Sequence, residues 1–111
     1  MNESAKFEVV IVMANRGCID LVMNAARSAG ATGGTVIHAR GTANKEAEKR
    51  FEITVTPEKE MVMILVPTEI RDDILKALYR SVGLKTPGQG IAFAMPVDHV
   101  VGISSEDASK A

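Results

Sequence analysis

Two short segments constrain the fold more than anything else in this chain: Val9–Met13, VVIVM, and Met61–Leu65, MVMIL, contain no polar residue. Successive side chains of a strand point to opposite faces, so strands of this composition need cover on both sides. Apolar runs of about six residues fall far short of the roughly 20 that a spanning helix needs, which argues against membrane insertion. A helical pattern follows each run. After "NRG" breaks the first, Ile19, Val22, Met23, Ala26 and Ala29 form one apolar stripe, with Asn15 as candidate cap and Gly30 as candidate stop. "GGTVIHA" then supplies a second strand. After the second run, Pro67 and Thr68 precede "EIRDDILKALYRSV", where Ile70, Ile74, Leu78 and Val82 recur every four residues. Leu75 and Ala77 widen that stripe, Gly83 ends it, and "GIAFAMPV" is the last strand.

Two β-α-β units within 111 residues predict a single α+β domain, residues 1–111. The fold is the ferredoxin-like split β-α-β sandwich, a four-stranded antiparallel sheet with both helices on one face. The other sheet face then has no cover inside the chain, and copies of the same face are its simplest partner. The interval Arg40–Glu60 carries ten charged side chains in 21 residues and is too long for an economical hairpin. "RFEITVT" alternates as a strand and would extend the central strands as a ribbon, while "TANKEAEK" suits a short helix or loop at its tip. Such a charged interval is either a solvated face or a contact arm.

Charge and cysteine usage narrow the function. Thirteen basic and fourteen acidic side chains give a formal net charge of −1, too balanced for a nucleic-acid scaffold. "MNESAKF" has neither an apolar run nor a small-residue cleavage site, so a cytoplasmic protein is expected. The lone Cys18 has no disulfide or CxxC partner and reads as a small half-buried residue in the first turn of a helix. His38 and His99 lack metal-ligand spacing, and Asp72 and Asp73 suit the positive end of a helix. Core packing accounts for Met13, Met23, Met61, Met63 and Met95, and Tyr79 borders its stripe with its hydroxyl within reach of solvent. No nucleophile-base-orienter set is evident, so the chain is read as no enzyme.

The segment "TPGQG", Thr86–Gly90, leaves two readings open. Its glycines make a tight corner before a strand, or Thr86 and the N–H groups of Gly88, Gln89 and Gly90 present donors to an anion. Arg40, Lys45, Lys49, Arg50, Lys59 and Lys85 are candidate counter-charges. Ile91 occupies the position where a phosphate binder would profit from lysine.

"GATGGTVIHARG", "ILVP" before a helix, and "GQGIAFAMPVDHVVGI" together resemble the P-II family of nitrogen regulatory signalling proteins, over Phe7 to Ile103. The resemblance implies a homotrimer of ferredoxin-like subunits with sheets facing inward. It also implies adenine-nucleotide binding between subunits and signalling through a long loop, here about residues 41–56. Residues carried over as effector-binding are Thr32, Arg40, Gly41, Thr42, Lys59, Thr86, Gly88, Gln89 and Gly90. ATP, ADP or AMP is the implied effector class, with no cofactor required. The loop is shorter than in typical members and has no tyrosine, so tyrosine modification is not carried over. Ile91 replaces the family's lysine, and Gly102 and Ser104 fall about where two arginines are expected. Losing three cations would remove several charge-assisted contacts to a triphosphate, each worth about 1.5–3 kcal/mol.

The combined expectation is a P-II-like regulator that binds a small anionic effector at subunit interfaces and passes its state to a protein partner through residues 41–56. Two alternatives carry different tests. A metal-binding trimer resembling the copper-tolerance proteins would use His38 or His99, and an interface-cleft enzyme would use His38, Arg40 or Asp98.

Overall fold

The computed structural model describes residues 6–41, 58–81 and 90–102. Its elements are β1 (Phe7–Asn15), α1 (Ile19–Ser28), β2 (Thr35–Arg40), β3 (Glu58–Pro67), α2 (Arg71–Ser81) and β4 (Gly90–Val97). The four strands form one sheet in the order β2-β3-β1-β4, with every neighbouring pair antiparallel. β3 therefore lies between β1 and β2, which is the split β-α-β arrangement, and both helices pack on one face of the sheet.

Register decides which side chains meet the helices. Val10 lies between Ile64 and Ala94, and Val12 between Val62 and Ala92, so the even-numbered positions share the inner face. Val22 and Ala26 of α1 and Ile74 and Leu78 of α2 close over them, all fully buried. Leu75 and Ala77 pack at the edge of this core, as the widened stripe predicts. Burying the core side chains contributes about 1.5–3 kcal/mol for each large aliphatic residue, which makes this register far better than a one-residue slip.

Buried carboxylates interrupt the inner face at Glu8 and Glu60. Glu8 is buried and accepts a 2.7 Å hydrogen bond from Arg71 Nη1 at the start of α2. Arg71 Nε donates to Asp72 at 3.0 Å. That hydrogen bond, reinforced by the guanidinium charge, holds the Asp72 carboxyl below its usual range.

The β1–α1 connection corrects one expectation. Cys18, not Asn15, occupies the helix cap, where its carbonyl accepts the Val22 N–H at 2.9 Å and no side-chain cap bond forms. The Asn15 amide oxygen instead accepts a hydrogen bond from Lys59 Nζ. A tight turn, with the Cys18 N–H on the Asn15 carbonyl and Gly17 at φ +95°, separates the two roles. Gly30 ends α1 as expected, at φ +110° just beyond Ala29. Pro67 closes β3 in extended geometry, and a 3-10 turn, Thr68–Ile70, leads into α2. The expected stop at Gly83 and the ribbon within 41–56 lie outside the described residues beyond Gly41.

The outer sheet face has no helix over it. Rows Leu65–Val9–Met95, Met63–Ile11–Phe93 and Met61–Met13–Ile91 cross it, giving an apolar surface across three strands. Met23 is buried under the helices, whereas the other four methionines discussed above lie on this outer face. Among the described residues, no helix is long and apolar enough to cross a membrane.

Candidate functional site

Of the residues expected to bind an effector, the described ones fall at two ends of the sheet. Arg40, Gly41, Lys59 and Gly90 lie at the end where β1 finishes and β3 and β4 begin. Pairing aligns Arg40 with Glu58, Ala39 and Asn15 with Lys59, and Ala14 with Gly90. A Cβ on Gly41 would stand 3.2 Å from Lys59 Cγ and 3.3 Å from Cε, so glycine lets the chain cross close to that aliphatic stem. Lys59 is one of the expected counter-charges, and its ammonium is hydrogen-bonded to Asn15.

Carboxylates at the same end tie β3 to the β1–α1 turn. Glu60, buried, accepts the Gly17 N–H at 2.6 Å, and Arg16 Nη1 donates to Glu58 at 3.3 Å. His38 Nδ1 stands 3.9 Å from Glu60, and its side chain is largely exposed. The Gly17 and Arg16 contacts bridge residues more than 40 positions apart. They also anchor the strand that receives the 41–56 interval.

Thr32 belongs to the opposite end. There an open groove of about 970 Å³ runs between the loop from Gly30 to Gly34 and the outer face of β1 and β3. Phe7, Val9, Met63 and Leu65 contribute its apolar surface, Thr32 and Thr35 its hydroxyls, and Gly102 part of its rim. A Cβ on Gly34 would lie 3.1 Å from Val62 Cγ1 and 3.2 Å from both Ile64 Cγ1 and the Met63 carbonyl. Glycine there lets the loop backbone lie against β3. Gly33 is different, since a Cβ would meet nothing within 4 Å.

From Thr35 to Arg40 is five residues along β2, about 17 Å at roughly 3.3 Å per residue, so Thr32 and the cations are not neighbours within one chain. Thr42, Thr86, Gly88 and Gln89 lie outside the described residues. Sequence reading missed Phe7, Leu65, Gly33 and Gly34 as groove residues, although the double glycine before a strand signals close backbone approach. Among the described residues, no group of three His, Cys, Asp or Glu side chains is placed to hold a metal ion.

Comparison with known proteins agrees with the fold. The family model described as nitrogen regulatory protein P-II matches residues 7–107. A search of curated proteins finds no match. Among solved structures, Arabidopsis thaliana PII bound to citrate is similar, with TM-score 0.68 and 21% identity over 89% of this chain and 82% of that one. A PII-like signaling protein from Thermus thermophilus is similar with TM-score 0.63 and 18% identity, over 84% and 87% of the two chains.

Proposed function

This chain belongs to the P-II family of nitrogen regulatory proteins, and we propose that it is a non-catalytic regulator that senses a small anionic effector and signals to a protein partner. Adenine nucleotides are the first effector class to test. The observation that carries the reading is the groove at Thr32, whose volume of about 970 Å³ suits a small molecule. It adjoins an apolar sheet face that a second and third copy of the chain would cover. In a homotrimer, a neighbouring subunit can bring its own residues to the groove, so a site divided within one chain becomes whole between chains. Thr86, Gly88, Gln89 and Gly90 are proposed as effector contacts alongside Thr32, Arg40, Gly41, Thr42 and Lys59. The citrate bound to the Arabidopsis relative makes small anions a reasonable class for this fold.

The proposed mechanism is a population shift. An effector whose contacts are made in one arrangement of residues 41–56 favours that arrangement, and the partner protein reads it. Arg40 and Gly41 lead into this interval and Glu58 leads out, so a ligand near that sheet end acts at both of its ends.

The test is calorimetric titration of nucleotide-stripped protein with ATP, ADP and AMP, with native mass measured in the same buffer. Saturable binding by a trimer supports the proposal. A trimer that binds none of the three removes adenine nucleotides from it, and a monomer removes the interface site.

A further inference from the structure

We infer that Asn15 is a positioning residue: it holds the Lys59 ammonium at the sheet end beside Gly41 without neutralising it, and so presents one fixed cation to an anionic effector. The inference rests on the proposed role of Lys59 as an effector contact and deepens it.

Register makes the pair. Asn15 of β1 lies directly opposite Lys59 of β3, and Ala39 of β2 flanks Lys59 on the other side. Successive strand side chains alternate faces, so Glu58 and Glu60, the sequence neighbours of Lys59, stand on the opposite face of the sheet. There they accept hydrogen bonds from Arg16 Nη1 and the Gly17 N–H. On its own face, Lys59 Nζ donates to the Asn15 amide oxygen. An ammonium only donates, which fixes the oxygen as the half of the amide that meets it. The aliphatic stem is confined too, since a Cβ on Gly41 would stand 3.2 Å from Cγ, 3.3 Å from Cε and 3.8 Å from Cδ. A lysine held at stem and head has less freedom left to lose when an anion arrives.

The partner's neutrality matters as much as its position. Among the described residues, Arg16 and Arg71 also donate to side chains, and in each case to carboxylates: Glu58 for Arg16, Glu8 and Asp72 for Arg71. No described carboxylate forms an ion pair with Lys59. A carboxylate in place of Asn15 would hold the ammonium more strongly and cancel the charge that an anion needs. The amide supplies position alone. Helix capping does not account for Asn15, because α1 has no side-chain cap bond.

Two measurements on the full-length native protein test this, with folding of every variant confirmed by thermal melting. Nitrogen-15 NMR of the Lys59 ammonium, without ligand, reads the contact itself: slowed proton exchange is expected, and Asn15→Ala should abolish it. Calorimetric titration with ATP reads the consequence. Lys59→Met and Asn15→Asp should each weaken binding about tenfold, the loss of one charge-assisted contact. Asn15→Ala should weaken it about threefold in the parent and have no effect in the Lys59→Met background. An Asn15→Ala effect of the same size in both backgrounds, an Asn15→Asp variant that binds as the parent does, or fast ammonium exchange in the parent would each overturn the positioning role. The effector contact at Lys59 would survive any of these. ATP binding that Lys59→Met leaves unchanged would overturn both, as would a parent that binds no ATP.

Discussion

Glu60→Ala tests whether the β1–α1 turn is held to β3 by a buried carboxylate. Glu60 is only 8% exposed, and its Oε1 accepts the Gly17 N–H at 2.6 Å. A hydrogen bond to a charged group contributes about 1.5–3 kcal/mol. Gly17 itself is exposed, so its freed N–H regains water and no further desolvation cost accrues. At about 4 °C per kcal/mol for a domain of this size, Glu60→Ala should lower Tm by about 6–12 °C. Glu60→Gln keeps an acceptor oxygen and should lose less. His38→Ala is the internal control: its ring is 3.9 Å from Glu60 on a side chain 83% exposed, and its effect should stay within about 0.5 kcal/mol. Thermal melting of the three variants at one protein concentration provides the assay, since Tm in an oligomer depends on concentration. A Glu60→Ala shift below about 2 °C, or one matched by His38→Ala, would refute the reasoning.

Gly34→Ala should destabilise by about 1–3 kcal/mol, because its β-carbon would press on a backbone carbonyl and two core side chains, whereas Gly33→Ala should be neutral within about 0.5 kcal/mol; denaturant melts compare them. Phe93→Glu places a charge in the middle of the outer apolar face and should convert the proposed homotrimer to smaller species, as read by light scattering. Asp72 has a folded pKa held below 3.8 by Arg71, so its pairing stabilises the fold above that value and the benefit disappears as pH falls through the lower folded pKa. Asp72→Asn should therefore melt slightly below the parent at neutral pH and coincide with it in strong acid, and a gap that persists in acid would contradict this.

The strands and helices are legible in the sequence because they obey local patterns. Unbroken apolar runs mark β1 and β3, four-residue recurrence marks α2, and Gly30 marks the end of α1. The unclothed sheet face is legible too, since VVIVM and MVMIL leave no polar side to turn outward. What sequence reading misses depends on register over long separations. Asn15 has the composition of a cap, but pairing brings Lys59 opposite it and takes its side chain. Glu8 interrupts an apolar inner face, which demands a cation, yet only the docking of α2 identifies Arg71. The groove follows the same logic: Phe7 and Leu65 belong to different strands and meet the glycine loop only after the sheet has formed. Composition assigns the methionines to the core, and register moves four of them to the outer face.

Hydrogen exchange of the native protein, with and without saturating AMP, tests the central claim most directly by following residues 31–35 and 41–56 together. Effector sensing through the arm predicts that ligand changes protection in both segments. Change in the groove loop alone would leave a binding protein without the proposed signal, and no change in either segment would contradict the account altogether.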